Sequence, residues 1–528
     1  MDRKKRFSES KKALPYKNFD GPDLRYQTKR RGRPMKQLLF ITILMFQSSW
    51  AYTQTFSEVI ARIANFRDVM ETPIGTPNEA SIACYNVVAM NHYLTQINKT
   101  VLANLTAGDP QPLRQIVEPL FLTRIATRDR IKDLSLINLD AKSCLRDIRT
   151  FFRISRFIEE YVSEQNSSDA IPKVFEGQSP SLMINPDFES SNLRSGDILL
   201  SRGNAVVSAS IARIGDDDGQ FSHIALVYVD PNTQQVYTIE AHIEIGVVVT
   251  PIEKYLTDGK VRAVIYRHPN AQLAHLAAQE MYAKVLKASQ SSSGNIPYDF
   301  GMNLGNDKEI FCSEVASLGY KLAAENLGLS PLTIPMFKTQ ITMKNRDFLN
   351  DIGVTAVETF APTDIDIDPR FALVAEWRDL SKTQDARFLD AILTSIYDWM
   401  ESHNYVFDNT IIDITKSSLG WSARKTFLFS PLLKDKFPTN MKWTALNAMI
   451  SLGDVGSKLL SVTQSANITE IQKSGLPLTH FQVKEQLNEL RRKDLLLYQN
   501  KLPSMKTPLF HKRFHPKGES IWDSIPGL

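Results

Sequence analysis

The chain has 528 residues, 43% of them apolar and 23% charged, a length beyond a single core and a balance that excludes wholesale disorder and a multispan membrane protein. Its net charge of +4 is unevenly spread, because the first 51 residues hold 13 Lys/Arg against 4 Asp/Glu while the rest holds 49 against 54. An acidic body argues against nucleic acid as a partner, which calls for basic surface to neutralise phosphates.

After the basic stretch 1–34, Met35-Lys36-Gln37 leads into the apolar run 38–46 and then Gln47-Ser48-Ser49-Trp50-Ala51. A charged segment, a short apolar core and small residues at Ser49 and Ala51 have the order of an export signal. The expectation is a leader over 1–51, with Met35 as an alternative start, and a mature protein in the periplasm or outside the cell. The run is too short to cross a bilayer; a buried helix or an interfacial anchor is the other reading, which keeps peripheral membrane association open. No cysteine follows it to carry lipid. Export implies an oxidising compartment. Of the cysteines, Cys84 and Cys144 share one helical region and are expected to pair, which leaves Cys312 free.

Residues 52–163 show apolar positions at three and four spacing, notably over 82–105, 113–125 and 144–162, and predict a helical domain. The stretch 164–192 is rich in Ser, Asn, Asp and Pro without a steady period and reads as a linker. From residue 193 strand patterns begin: 196–203, then a short helix over 205–214, a strand over 222–229 ended by Asp230-Pro231-Asn232, a hairpin of 236–241 and 246–250, and a strand over 260–268. Amphipathic helices follow over 271–288 and 312–326. The fold class is therefore α+β with a mainly antiparallel sheet, occupying 193–360 and flanked by helical regions. Residues 361–528 predict helices over 371–380, 386–403, 443–460 and 482–500 and a basic tail.

Ile310-Phe311-Cys312-Ser313-Glu314 places a cysteine where a loop enters a helix. Unpaired N–H groups and the partial positive charge there favour thiolate, although a small buried thiol packed under the helix has the same pattern. A thiolate nucleophile needs an imidazole to share its proton. His223, at the start of the apolar strand Ile224-Ala225-Leu226-Val227, is the candidate. A third group should orient that ring. Period-two alternation puts Thr238, Glu240 and His242 on one face of the next strand, so Glu240 is expected to face His223, with His242 as the alternative orienter.

Taken in order, Gly196-Asp197-Ile198-Leu199, Ser222-His223-Ile224-Ala225-Leu226-Val227, Ile239-Glu240-Ala241, Tyr298-Asp299-Phe300 and Phe311-Cys312-Ser313-Glu314 resemble the permuted papain-like cysteine hydrolases, in the YiiX/YaeF-like branch of the NlpC superfamily and more distantly lecithin retinol acyltransferase. The histidine strand precedes the cysteine helix, which is the mark of the permutation. The resemblance covers about 193–324. It implies Cys312 as nucleophile, His223 as general base and acid, Glu240 as the orienting residue and Tyr298 as an aromatic beside the substrate. It also implies cleavage of amide or ester bonds, either in cell-wall peptides or in lipid and acyl-amide substrates, without a cofactor. A non-catalytic envelope protein using the same fold to hold a ligand is the alternative. Asp197 and Glu314 match family positions but are explained as a turn former and a helix-start acid.

Other patterns carry no chemistry. His511 and His515 have a helical ligand spacing, but Pro516 follows and no CxxC occurs, so no metal is expected. Gly301-Met302-Asn303-Leu304-Gly305 lacks the ending of a phosphate loop. The acidic run Asp216, Asp217, Asp218 reads as a solvated loop.

Overall fold

The computed structural model describes residues 56–100, 113–136, 141–165, 174–176, 183–184, 192–257, 259–292, 294–330, 332–341, 346–408, 440–499 and 507–518. The expected leader and its cleavage site lie outside them. Thr53–Leu528 form one compact unit.

The N-terminal region is helical as expected, with α1 (Phe56–Glu71), α2 (Pro77–Thr100), α3 (Glu118–Leu136) and α4 (Ala141–Glu164). Thr76-Pro77-Asn78-Glu79 starts α2 by a capping box. Glu79 N donates to Thr76 Oγ1 (3.3 Å), while Glu79 Oε2 accepts from Thr76 N (3.1 Å). A disulfide joins Cys84 of α2 to Cys144 of α4 with the Cα atoms 5.4 Å apart, and Cys312 is free and buried.

The short strands β1 (Val174–Glu176) and β2 (Met183–Ile184) fall in the stretch expected as a linker, where their lack of period-two length hid them. Then come β3 (Ile198–Gly203), α5 (Val206–Ile211), β4 (His223–Val229), β5 (Val236–His242), β6 (Gly246–Pro251), α6 (Ile252–Thr257), β7 (Lys260–Arg267), α7 (Ala271–Ser289) and α8 (Cys312–Asn326). The pair β8 (Thr339–Gln340) and β9 (Glu358–Thr359) brackets α9 (Arg346–Ile352). The C-terminal part holds β10 (Ala372–Arg378), α10 (Leu380–His403), β11 (Tyr405–Phe407), α11 (Trp443–Ser474), α12 (His480–Tyr498) and β12 (Phe514–Pro516). One antiparallel sheet runs β2-β1-β10-β7-β3-β4-β5-β6.

The stretch 371–380 is therefore a strand rather than the expected helix. Its alternation is broken by a register shift between Leu373 and Ala375, and Glu376 and Arg378 occupy buried positions where apolar residues would have announced a strand. The acidic run is also corrected. Asp216 is exposed, but Asp217 and Asp218 are partly buried against Arg149 (3.8 Å) and Arg153 (3.2 Å) of α4.

One face of the sheet, carrying Ile198, Leu200, Ile224, Leu226, Ile239 and Val264, joins α1 to α4, α7, α8 and α10 in a continuous apolar core. The opposite face, with Leu199, Ala225, Val227 and Ile265, packs on Ile252 and Tyr255 of α6. The larger interface also contains a lattice of buried ions. Arg124 of α3 makes two bonds to Glu159 (3.0 and 2.8 Å) and two to Glu376 (2.8 and 3.2 Å); Arg156 pairs bidentately with Asp366 (2.6 and 2.8 Å). Arg262 of β7 pairs bidentately with Glu160 (2.7 and 2.8 Å), and Arg378 of β10 bridges Glu159 (2.5 Å) and Glu376 (2.6 Å). Asp390 of α10 holds Arg202 and Arg213, each at 2.9 Å.

Forming such pairs roughly balances desolvation against attraction, but removing one partner strands a charge. Glu376→Leu, which leaves Arg124, Arg156 and Arg378 one carboxylate short, is expected to destabilise by about 3–5 kcal/mol. Glu489→Gln, at an exposed pair with Arg492 (2.9 Å), should change stability by about 1 kcal/mol or less. Urea unfolding midpoints of the two variants against wild type measure the difference; equal midpoints would mean that the lattice does not stabilise the fold.

Candidate active site

Cys312 is the first residue of α8, entered from Phe311 in extended backbone (φ −93°, ψ 170°). The helix lies on the sheet over β4, with Val315 and Ala316 in the core shared by Ile224 and Leu226. It can sit close to α7 because Gly319 has no side chain: a Cβ there would be 2.8 Å from Ala277 O. His223 begins β4, opposite Ser201 of β3. Two elements thus meet at their starting residues, which brings thiol and imidazole together.

His223 Nε2 donates to Glu240 Oε2 at 2.9 Å, leaving Nδ1 as the ring nitrogen for the neighbouring Cys312 thiol, whose Sγ stands 3.9 Å from Ser222 O and from Ser313 Oγ. The register explains the first contact. Ala225 pairs with Glu240, so His223 is the diagonal neighbour of Glu240 on the same face of the sheet. Thr238 Oγ1 donates to Glu240 Oε1 (2.7 Å), and Thr250 Oγ1 stands 3.0 Å from the same oxygen and 2.8 Å from Thr238 Oγ1. These threonines pair across β5 and β6. They are functional neighbours that sequence reasoning passed over. Period-two alternation already placed Thr238 beside Glu240; Thr250 needed the hairpin register.

Burial alone would pull His223 toward neutrality, but hydrogen bonds to Cys312 and Glu240 together with their negative charge raise it from 6.5 to about 9. For Cys312 burial pushes the thiol up, and the hydrogen bond and charge of His223, with the Ile224 N–H and Ser313, outweigh it and hold the thiol below its ordinary value. Glu240 is likewise buried, yet the partners His223 and His242 keep its carboxyl well below the usual range. All three shifts run toward the charged forms, so the arrangement favours a thiolate–imidazolium pair backed by an ionised carboxylate. Cys312 is 3% exposed and the His223 side chain 17%.

His242 lies 3.7 Å from Glu240 Oε2, its ring 5.5 Å from that of His223. The nearer contact to Glu240 belongs to His223, so His242 is a second neighbour of the carboxylate. Tyr298 is buried beside Cys312; burial and then the charge of the thiolate push its phenol well above the ordinary value. Its loop is pinned to the β5–β6 turn by Val247 N donating to Ile296 O (2.8 Å). Gly246, at φ +74°, permits that approach, since a Cβ would lie 2.1 Å from Ile296 O.

All four predicted site residues, Cys312, His223, Glu240 and Tyr298, therefore converge. Asp197 instead holds Arg267 (2.7 and 2.6 Å) and accepts from Arg194 N (2.8 Å), which makes it a buried turn anchor. Glu314 accepts from Gly305 N (2.7 Å), tying the loop before α8 to the helix start; burial raises its carboxyl to about 7.

His511, in the turn before β12, bonds Asp494 of α12 (2.7 Å) and Tyr405 of β11 (2.8 Å). Among the described residues no three His, Cys, Asp or Glu side chains are grouped to hold a metal, and no helix is long and apolar enough to cross a membrane.

No curated protein matches the chain. Residues 192–374 match the family model described as permuted papain-like amidase enzyme, YaeF/YiiX, C92 family. That span opens just before β3, ends within β10 and contains the whole thiol–imidazole–carboxylate chain, so this part of the protein is similar to the permuted papain-like amidases of the YaeF/YiiX, C92 family.

Proposed function

We propose that the protein is a cysteine hydrolase that cleaves amide or ester bonds through a thioacyl intermediate on Cys312. The observation that carries this reading is the 2.9 Å contact of His223 Nε2 with Glu240, which leaves the other ring nitrogen for a thiol at the start of a helix. The family match supports an amidase or peptidase of papain-like type.

In the first step the Cys312 sulfur attacks the carbonyl carbon. Unpaired N–H groups at the start of α8 stabilise the oxyanion. As the C–N or C–O bond breaks, His223 gives its proton to the departing amine or alcohol, and the acyl group remains as a thioester. Water then gives a proton to His223 and attacks that thioester, releasing the acid and restoring the ion pair. Glu240 is a positioning residue: it fixes the ring orientation and stabilises the imidazolium. Tyr298 would stand beside the bound substrate.

A second reading, a non-catalytic ligand-binding protein with the same fold, draws support from the near-complete burial of Cys312. The two readings differ in the behaviour of the thiol. For the enzyme, His223 holds the thiol below its ordinary value, and the thiolate keeps its imidazolium partner up to about pH 9. At pH 6 iodoacetamide should then label Cys312 faster in wild type than in His223→Ala, where the thiol titrates nearer to about 8.5. The gap should close above pH 9. Glu240→Gln should show a smaller shift in the same direction and lose activity while remaining folded. A wild-type profile identical to that of His223→Ala would leave the binding protein as the reading.

We also place the protein in the bacterial envelope, periplasmic or secreted, where cell-wall peptides and acyl lipids are the candidate substrates. The Cys84–Cys144 disulfide and the leader-like pattern before Tyr52 support this. N-terminal sequencing of protein from the native host should begin near Tyr52. Intact leader on protein recovered from the cytosol would rule the placement out.

A further inference from the structure

Cys312 is too buried to be reached by a substrate carbonyl as the structure stands. What spans the loops on its two sides is the entry to α11. Met441, Ala445 and Leu446 are buried against Ile243, which follows His242, and against Phe300, whose ring meets Tyr298 edge-on at 5.4 Å. Asn440 Nδ2 donates to the backbone oxygen of Tyr298 itself (2.8 Å). Residues 440–446 therefore bridge the β5–β6 turn and the Tyr298 loop, the two segments that flank the thiol and the imidazole.

Several features make this bridge easier to lift than the rest of α11. Its buried side chains form a small cluster that meets the main core through Ile243 and Phe300, whereas Ala448, Leu452, Val455 and Leu459 further along the helix belong to the main core itself. The helix start has no side-chain cap at Lys442. Beside it lies a cavity of about 220 Å³ between Trp443, Thr444 and Asn447 and the facing Phe348 and Phe407, spanned by Thr444 Oγ1 donating to Asp351 O (2.9 Å). Packed interiors resist displacement, whereas a void beside a segment gives it room to move. A small satellite cluster and an uncapped helix start are features of segments that open locally.

We infer that residues 440–446 form a lid over Cys312, and that the inner face of the lid, Met441, Ala445 and Leu446, becomes the wall that receives an apolar acyl group of the substrate. Raising the lid exposes these side chains together with Ile243 and Phe300 to water, which is unfavourable in proportion to the apolar area uncovered. An acyl chain covers them again; a charged peptide does not. Among the substrates open to a cysteine hydrolase, the lid thus favours acyl amides and esters. The substrate class rests on the hydrolase reading, but the lid itself does not.

The test uses the full-length protein and reads Cys312 without turnover. Iodoacetamide labelling at fixed pH is compared in wild type, Asn440→Ala and Met441→Ala/Leu446→Ala. Both variants should label faster, by roughly tenfold for the double variant. Asn440 is only partly buried, so its single variant keeps the test valid if the double variant does not fold. The acyl wall is read from the rate with N-octylmaleimide over that with N-ethylmaleimide, each relative to free cysteine. Wild type should favour the octyl reagent, and either variant should show a weaker preference. Equal labelling of the folded proteins would overturn the lid; a wild-type ratio no greater than that of free cysteine would overturn the acyl wall. Hydrolysis of p-nitrophenyl octanoate is measured separately. If labelling follows the lid but no protein cleaves the ester or responds to His223→Ala, the hydrolase reading falls while the lid and its apolar wall stand.

Discussion

The structure depends on a set of arginines and carboxylates that are buried together. Charges of this kind bring little net stability by themselves, because the loss of water nearly cancels the attraction. What they bring is exclusivity of fit. Arg202 has Asp390 as its partner, Arg262 has Glu160 and Asp390, and any shift of α4 or α10 against the sheet would leave one of them alone in a medium that penalises it heavily. Arg202 sits in β3 beside Ser201, and Ser201 is the residue paired with His223. The same lattice that docks the helices therefore fixes the strand against which the imidazole is registered.

At the site the balance between burial and partners is decided differently for each group. Burial opposes charge on Cys312, on His223 and on Glu240 alike. Each is nevertheless shifted toward its charged form, because a group that can be positive stands between two that can be negative. Remove the centre and both anions lose their partner at once. Thr238, and Thr250 through its contact with Thr238 and Glu240, saturate the far oxygen of the carboxylate, so that Glu240 offers His223 its other oxygen in one orientation. Tyr298 lies outside this alternation as a neutral phenol, a donor beside an anion, and burial keeps it so.

The candidate site was legible because its groups stand where local patterns change. A cysteine entering a helix and a histidine opening an apolar strand can each be recognised within a few residues, and period-two alternation narrows the orienting residue to the face shared by Thr238, Glu240 and His242, among which the resemblance points to Glu240. Thr250 was beyond such reading, since its role appears only when β6 is laid against β5. The charge lattice was invisible for a stronger reason. Arg124 and Glu376 are 252 positions apart, and each looks in isolation like an ordinary surface residue. That blindness also explains β10. A strand whose inward positions are Glu376 and Arg378 violates the apolar alternation by which strands are recognised, and its residues at three and four spacing then imitate a helix.

This has a consequence for how the flanks relate to the family segment. If the helices were additions to a self-sufficient papain-like unit, the surfaces between them would carry groups content with water when apart. Instead Glu159 and Glu160 of α4 meet Arg378 and Arg262 of the sheet, and Asp390 of α10 meets Arg202, Arg213 and Arg262, all deeply buried. Detached, the sheet would expose a basic apolar face, and the helices would expose the acids that complement it. The sheet and its flanks are thus one folding problem, with a common core and a common set of charges. Once the C-terminal helices are required for the fold, the path of the chain through residues 440–446 is fixed beside the thiol as well. Access to Cys312 is then a property of the flank, although Cys312, His223, Glu240 and Tyr298 all lie in the segment 192–374 that matches the family model.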